Sequence, residues 1–116
     1  MTKVTYLHHS GFMVETEKNC LVFDYYTEAL ADRKKRCIGN IVINANLNGK
    51  ETKIIGFENH GGQTFDIDTP FGDVLFGNGN KFGDTKEGFF KDNVIATYLH
   101  GPLLSKNPEL ADYIIK

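Results

Sequence analysis

The chain has 116 residues and a mass of 13.0 kDa, which suits one domain with a single modest core. Its formal net charge of −2 argues against a nucleic-acid or anionic-membrane partner, because both normally require a basic face. No apolar run approaches the roughly 20 residues that span a bilayer. The N-terminus also lacks the apolar core of a signal peptide, so the sequence predicts a cytoplasmic location.

The first part of the chain predicts a strand followed by a β-hairpin. Three apolar runs are typical of strands, at residues 4–7, 12–16 and 20–26. The sequence His8-His9-Ser10-Gly11 breaks the first run from the second. The polar residues 17–19 suit a hairpin turn, which would set Val14 opposite Leu21 and Phe12 near Phe23.

The stretch 27–36 is polar and basic, and it predicts a loop with one helical turn. Cys37 follows four cationic residues of this loop, a setting that can lower the pKa of a thiol, but a free thiol without a function is the preferred interpretation of both cysteines. Cys20 lies in an apolar strand pattern, which is typical of a buried, inert thiol. The two cysteines form neither a disulfide framework nor a CxxC metal motif.

An Asn-Gly pair at residues 48–49 gives the clearest local prediction, because this pair favours a type I′ hairpin turn with two positive φ angles. A turn centred there pairs Ile43 with Ile54 and Val42 with Ile55. The returning strand then runs into Asn59-His60-Gly61-Gly62. The two glycines predict a tight bend in which backbone amides approach a ligand or another strand.

The second half of the chain predicts short strands and a terminal helix. The predicted elements are a strand at 73–76, a Gly/Asn-rich loop at 77–80, a polar loop at 81–87, a hairpin of 88–90 with 93–98, and a helix through Leu110, Tyr113 and Ile114. Asn107 is a good N-cap residue, and Pro108 fits the first helical position. The fold class is therefore α+β and mainly β. We expect one domain over residues 1–116, with a mixed or antiparallel sheet built from hairpins and the C-terminal helix packed on it.

The four histidines show no metal-binding spacing, since HxH, HxxxH and HExxH are all absent. His60 and His100 are the better site candidates, because each follows a strand and stands beside glycines. A Cys–His hydrolase needs a thiolate in an exposed, strained turn, and neither cysteine has that context. Ser10 lacks a G-x-S-x-G frame. The residues alone thus predict a polar, glycine-lined edge without a complete catalytic set.

Six short motifs resemble one family: Tyr26-Thr27-Glu28, Gly39–Ile43, Gly56–Gly62, Gly77–Asn80, Glu87-Gly88 and Thr97–Pro102. From about residue 25 the chain resembles the C-terminal half of class I glutamine amidotransferases of the cobyric-acid-synthase-like branch. Within that branch it is similar to the glutaminase subunits of lipid II isoglutaminyl synthases, which serve peptidoglycan synthesis. The resemblance implies that His100 is the general base for a cysteine nucleophile. The implied glutamine-binding residues are Arg36, Asn59, His60, Gly61 and Gly62. Gln63 stands where the family commonly has arginine.

The N-terminal segment 1–25 resembles a different fold, the first hairpin of metallo-β-lactamase-like proteins. It ends before the metal-binding HxHxDH motif of that fold, so it implies no metal site. The family's Cys-Gly-Gly-Tyr elbow has no counterpart upstream of Tyr26. We therefore expect two truncated folds joined near residues 23–26, with the last strand of the hairpin beside residues 41–45. The exposed sheet edge that remains predicts homodimerisation.

Three functional hypotheses follow. The preferred hypothesis is a truncated or chimeric amidotransferase-like protein without glutaminase activity, because a Cys–His enzyme loses its covalent step without the nucleophile. The second is an active glutaminase that uses Cys20, Cys37 or a partner's cysteine and supplies ammonia to a Mur-ligase-like synthetase. The third is a non-catalytic interaction module for such a synthetase. Glutamine is the expected small-molecule ligand, and no metal or cofactor is implied.

Overall fold

Two β-sheets and two short C-terminal helices make up the described part of the chain. The computed structural model describes residues 2–6, 12–23 and 36–116, without the side chains of Phe12 and Phe23. The strands are β1 (Lys3–Tyr6), β2 (Phe12–Glu15), β3 (Cys20–Phe23), β4 (Cys37–Leu47), β5 (Lys50–His60), β6 (Gly72–Phe76), β7 (Lys86–Glu87), β8 (Phe89–Lys91) and β9 (Val94–Thr97). The helices are α1 (Leu103–Lys106) and α2 (Pro108–Ile115). The α+β, mainly β class is confirmed.

The first sheet is mixed and has the strand order β1-β2-β3-β9-β8. Its N-terminal hairpin has the predicted register, with Val14 opposite Leu21. Strand β3 then pairs in parallel with β9, so that Cys20 lies opposite Val94. The prediction that β3 lies beside residues 41–45 is wrong. Strand β4 is already flanked by β5 and β6, and a parallel neighbour far along the chain leaves no local signal in the sequence.

The second sheet is antiparallel and has the strand order β5-β4-β6-β7. Its central hairpin is confirmed, with Ile43 opposite Ile54 and Val42 opposite Ile55. The turn residues Asn48 and Gly49 have φ angles of 53° and 82°, as a type I′ turn requires. The long β4–β5 hairpin thereby carries the residues after His60 to one end of this sheet.

The polar stretch 81–87 differs from its prediction as a loop. Its last two residues form β7, which pairs with β6 and places Glu87 opposite Gly72. Glu87 is fully buried. The sequence does not predict β7, because a charged residue such as Glu87 gives no local sign of burial when its hydrogen-bond partners come from a distant part of the chain.

The core lies between the inner faces of the two sheets and the helices. Its buried side chains are Leu21, Ile41, Ile43, Ala45, Leu47, Ile54, Phe71, Ile95, Leu99, Leu103, Leu110 and Ile114. The predicted helix face is confirmed, because Leu110 and Ile114 are buried and Tyr113 packs against the same cluster. The sheets and helices therefore share one core.

Asn107 connects the helices to the edge strand β5. It precedes Pro108 as predicted, but its side chain makes no capping hydrogen bond. Its Oδ1 accepts a hydrogen bond from the Ile55 N–H at 2.8 Å, and its Nδ2 donates to the carbonyl oxygens of Ile55 at 2.7 Å and Leu103 at 2.8 Å. The side-chain amide thus pairs with the open edge of β5 as a peptide group would.

Replacing Asn107 with alanine is expected to lower the free energy of unfolding by about 2–3 kcal/mol, because it leaves the partly buried Ile55 peptide group and the buried Leu103 carbonyl without this partner. Urea unfolding monitored by circular dichroism measures the effect. The control is Ser105→Ala at an exposed position of α1, which should change stability by less than about 0.5 kcal/mol. Equal effects of the two substitutions would contradict this role.

Some sequence predictions fall outside the described residues. They are the break at 8–11, most of the loop at 27–36 and the junction beyond residue 23. Within the described ranges, neither helix has the length and apolar character needed to cross a membrane. These ranges also contain no group of three or more His, Cys, Asp or Glu side chains that could hold a metal ion.

Candidate functional site

Strand β5 ends with two of the predicted site residues, Asn59 and His60, at one end of the second sheet. Its side chains alternate between a buried face and an exposed face. Glu58 and His60 point to the buried face, whereas Asn59 points outward. The predicted set Asn59-His60-Gly61-Gly62 is therefore divided between two faces of the sheet.

Glu58 fixes the glycine-rich loop 77–80 against the end of β5. Its side chain is fully buried. Its Oε1 accepts hydrogen bonds from the backbone N–H and the side-chain amide of Asn78, at 2.7 and 2.9 Å, and its Oε2 accepts one from the Gly79 N–H at 3.0 Å. Burial raises the pKa of Glu58, but the nearby His60 imidazole and the hydrogen bonds from Gly79 and Asn78 outweigh it and hold the pKa below its ordinary value. Glu58 is thus an ionised anchor for this loop.

His60 is held between Glu58 and the bend that follows it. Its Nδ1 lies 2.7 Å from the carbonyl oxygen of Gly62, and because a carbonyl can only accept, Nδ1 carries the proton. Its Nε2 lies 3.8 Å from Glu58 Oε2. The imidazole stacks on the Tyr98 ring, with 3.7 Å between ring centroids and 7° between ring planes. These contacts fix the orientation of the His60 ring, which in turn holds the bend at Gly62 against Tyr98.

The Gly61-Gly62 bend is close to a side chain, and neither glycine has a positive φ angle. A Cβ atom on Gly61 would lie 3.1 Å from Nη1 of Arg36. The Arg36 Nη2 donates a hydrogen bond to Asn59 Oδ1 at 2.9 Å. The structure thus brings Arg36, Asn59 and Gly61 together on the exposed side of the strand end.

Gln63 follows the Gly61-Gly62 bend and connects two segments. Its Oε1 accepts a hydrogen bond from the Phe82 N–H at 2.6 Å. Its Nε2 lies 3.8 Å from the sulfur of Cys37. Gln63 therefore makes neutral hydrogen bonds within the fold, without the charged fork of a guanidinium group.

His100 is positioned by its backbone. The His100 N–H donates to the carbonyl oxygen of Phe57 at 2.8 Å, and the Phe57 N–H donates to the His100 carbonyl oxygen at 3.1 Å. This isolated β-bridge joins the chain after β9 to the free edge of β5. The imidazole of His100 is half-buried.

A fully buried carboxyl group holds the residues just before His100. Glu87 Oε1 accepts a hydrogen bond from the Tyr98 N–H at 2.7 Å, and the Thr97 hydroxyl lies 2.9 and 3.0 Å from the two carboxyl oxygens. Burial raises the pKa of Glu87 to about 8, although the Tyr98 and Thr97 hydrogen bonds act in the opposite direction. Glu87 is therefore largely protonated near neutral pH.

Tyr98 connects this segment to the loop after β5. Its hydroxyl lies 2.6 Å from Thr64 Oγ1, and its ring carries the His60 stack. Glu58, Glu87 and Tyr98 are not among the site residues predicted from the sequence. The sequence carries one signal for Glu58, which is a charged residue at a position of β5 that the alternating pattern predicts to be buried. Because unpaired carboxylates are almost never fully buried, such a position indicates a carboxylate with specific partners.

Cys37 is distant from His100. It lies opposite His60 on the β4 side of β5, whereas His100 pairs with Phe57 on the other edge of that strand. Three residues along a strand correspond to about 10 Å, and two strand spacings add roughly 10 Å across. The two Cα atoms are therefore separated by on the order of 14 Å, well beyond hydrogen-bond reach.

The cationic residues before Cys37 do not activate its thiol. The side chain is fully buried, and burial raises its pKa, with the Gln63 hydrogen bond and the nearby Arg36 only partly opposing this. The alternative of a thiol with a lowered pKa fails because β4 begins at Cys37 and the side chain is buried in the core.

Cys20 does not lie beside His100 either. It pairs with Val94 at the start of β9, whereas His100 follows the end of that strand. Burial, together with the charge of Glu15, raises the pKa of this thiol. Neither of the chain's cysteines thus supplies a thiolate next to His100.

The paired sheets, the Asn-His-Gly-Gly bend and the Tyr-Leu-His-Gly-Pro segment define an amidotransferase-like domain. The sequence pattern of the CobB/CobQ-like glutamine amidotransferase domain matches residues 5–108, and the chain belongs to this family. The match begins at residue 5, so it includes most of segment 1–25. The metallo-β-lactamase resemblance of that segment stays a prediction.

Two relatives carry the same name, lipid II isoglutaminyl synthase (glutamine-hydrolyzing) subunit GatD. The protein of Staphylococcus aureus strain N315 is 44% identical over 95 residues, which cover 82% of this chain and 37% of the relative. The protein of Streptococcus pneumoniae strain ATCC BAA-255 / R6 is 42% identical over 108 residues, which cover 91% of this chain and 39% of the relative. The chain thus spans about two fifths of the length of these relatives.

Proposed function

We propose that residues 1–116 supply the general-base side of a glutaminase site, with His100 as the base, and do not hydrolyse glutamine by themselves. The carrying observation is the placement of the two cysteines. Cys37 is buried on the far side of β5 from His100, and Cys20 lies at the opposite end of β9. Hydrolysis in this class proceeds through attack of a thiolate on the amide carbonyl, and a base without that thiolate cannot form the acyl intermediate.

The exposed cluster around Arg36 is the proposed glutamine contact. The guanidinium group is exposed and uses Nη2 for Asn59, which leaves further N–H donors for the α-carboxylate of the amino acid. His60, Gly61 and Gly62 shape the backbone beside it. In this proposal His60 acts through the bend and not on the substrate, because its ring is buried under Tyr98.

The wider role is inferred from the relatives, which are named as glutamine-hydrolysing subunits of lipid II isoglutaminyl synthase. We place this chain in the same cytoplasmic process, the amidation of a peptidoglycan precursor, with a Mur-ligase-like synthetase as its partner. We expect the protein to co-purify with such a synthetase. A chain that stays unbound in the presence of the synthetase would count against this role.

The predicted chimera belongs to this proposal. Segment 1–25 ends in β3, whose parallel pairing with β9 gives the amidotransferase-like part a neighbouring strand on that side. This arrangement is consistent with a borrowed hairpin that completes the first sheet. In the proposal the hairpin contributes stability to the sheet and no catalytic group.

An ammonia assay tests the proposed lack of hydrolysis. Purified protein incubated with glutamine should release no more ammonia than the His100→Ala variant. Turnover that disappears in His100→Ala would overturn the proposal. Loss of that turnover in Cys37→Ser, but not in Cys20→Ser, would identify Cys37 as the nucleophile and favour the active-enzyme alternative.

A binding measurement tests the substrate contact separately. Glutamine should shift the backbone amide resonances of Asn59 and Gly61 in nuclear magnetic resonance spectra, and Arg36→Ala should weaken the binding by about tenfold or more, as expected for loss of a charge-assisted hydrogen bond. The matched control is Lys53→Ala, an exposed cation elsewhere on the same sheet face. Unchanged spectra at saturating glutamine would remove glutamine from the proposal.

A further inference from the structure

The chain contains two Asn-Gly pairs, at residues 48–49 and 78–79. In such a pair the glycine nitrogen can attack the side-chain carbonyl carbon of the asparagine, and glycine has no Cβ atom to hinder the approach. Asparagine is one of the residue types that heat alters chemically. The way in which the fold holds the two reacting groups therefore decides whether a pair reacts.

The pair at 78–79 is held at both reacting groups by one carboxylate. The Asn78 side-chain amide donates to Glu58 Oε1 at 2.9 Å, and the Gly79 N–H donates to Glu58 Oε2 at 3.0 Å. Gly79 is buried, and Asn78 is half-buried. Attack would require both groups to leave the carboxylate inside a packed loop. The fold thus protects this pair.

The pair at 48–49 lies at the tip of the β4–β5 hairpin, where both residues are exposed. The Gly49 N–H donates to Asn46 Oδ1 at 2.7 Å, and this contact is exposed to solvent. A single hydrogen bond at an exposed turn contributes little net free energy and opens readily. The Gly49 nitrogen is therefore accessible, and the Asn46 side chain restrains it.

We propose that Asn48 is a site of deamidation and that the Asn46 side chain sets its rate. The Gly49 nitrogen loses its proton and forms a bond to Asn48 Cγ, the bond from Cγ to Nδ2 breaks, and ammonia leaves. Water then opens the cyclic imide, so that the net reaction converts an amide and water into a carboxylate and ammonium. While Asn46 Oδ1 accepts the Gly49 N–H, the nitrogen keeps its proton and does not attack.

The two products of ring opening affect the hairpin differently. Aspartate keeps the turn, because Asp-Gly also favours the type I′ geometry. Isoaspartate directs the main chain through the former side chain and adds a backbone carbon to a turn that fixes the register of β4 and β5. The isoaspartate form should therefore unfold at a lower denaturant concentration than the unmodified chain.

Peptide mapping by mass spectrometry, during incubation of the full chain at neutral and mildly alkaline pH, tests the site. We expect Asn48 to convert faster as the pH rises, because the attacking nitrogen must lose its proton, while Asn78 stays intact. In guanidinium chloride both pairs should convert at similar rates, because the protection of Asn78 comes from the fold. Equal rates at the two pairs in the folded chain would overturn the proposal. An Asn48 that stays intact for as long as the unfolded chain takes to react would do so as well.

Variants at the turn separate the roles of the two asparagines. Asn48→Gly keeps a pair that favours the type I′ turn, and it should show no conversion at the hairpin. Asn46→Ala should raise the rate at Asn48 by about three- to tenfold, the factor that one net hydrogen bond is worth.

The matched control is Asn46→Asp, whose carboxylate can still accept from the Gly49 N–H and should leave the rate at or below that of the wild type. Circular dichroism verifies that each variant is folded. Equal rates in the wild type and Asn46→Ala would overturn the role of Asn46, and acceleration by Asn46→Asp would show that its hydrogen bond is not the cause.

Discussion

Replacing Glu58 with alanine is expected to lower the free energy of unfolding by about 3–5 kcal/mol, one of the largest effects of any single side chain in the protein. The carboxylate is fully buried and accepts three hydrogen bonds from Asn78 and Gly79. Alanine would leave those donors without their acceptor in a buried or partly buried place, and each unpaired buried donor costs about 1–3 kcal/mol. Urea unfolding at neutral pH measures the loss.

Two further variants separate the carboxylate's role from its charge. Glu58→Gln keeps the shape but presents an amide N–H toward one of the donors, so it should lose part of the stability. Glu51→Ala changes an exposed carboxylate on the same strand and should change stability by less than about 0.5 kcal/mol. A Glu58→Ala variant within about 1 kcal/mol of the wild type would show that the loop 77–80 does not depend on this anchor.

The second large effect is a pH dependence that originates from Glu87. Its pKa is about 8 in the folded chain, against 4.5 for the ordinary group. Between these two values the folded state holds a proton that the unfolded state has lost. The contribution of Glu87 is therefore complete below about pH 4.5 and decreases as the pH rises toward 8, by on the order of 1 kcal/mol per pH unit.

Glu87→Gln should remove this dependence. The glutamine oxygen can accept from the Tyr98 N–H as Glu87 Oε1 does, and the side-chain amide stays neutral across this pH range. The difference in unfolding free energy between variant and wild type should therefore shift in favour of the variant by roughly 2–4 kcal/mol from pH 5 to pH 8. Chemical unfolding across this range measures it. Glu109→Gln on the exposed face of α2 is the matched control and should give a constant difference. A constant difference for Glu87→Gln would show that the carboxyl group is ionised throughout.

Local chemistry explains which parts of the fold the sequence predicts. The β4–β5 hairpin follows from Asn48 and Gly49, because the φ angles of the turn decide the pairing of every residue beyond it. The apolar face of α2 follows from the spacing of Leu110 and Ile114. In these cases the deciding interactions lie within a few residues of one another.

Long-range partners explain the parts that the sequence did not predict. Asn107 has the residue type and position of an N-cap, yet its side-chain amide forms hydrogen bonds with the open edge of β5 and does not cap the helix. Cys37 follows a cationic run, yet the start of β4 turns it into the core. Tertiary contacts overrode a local preference at both residues.

The candidate site shows the same division. The motif around His100 is visible in the sequence, and the resemblance assigned it a chemical role. The supports of that motif come from elsewhere in the chain: Glu87 from a two-residue strand and Phe57 from the edge of β5. No spacing rule connects them, so only the folded structure identifies them as the groups that hold the segment in place.

The parallel pairing of β3 with β9 has a consequence for how the chain folds. The β2–β3 hairpin is synthesised before its partner strand β9, which lies far along the sequence. Contacts of such high sequence separation slow folding, because a long loop must close before they form. Until β9 leaves the ribosome, β3 presents an open strand edge, and such edges are sites of misassembly. We therefore expect this sheet to form late, and the local β4–β5 hairpin to form early.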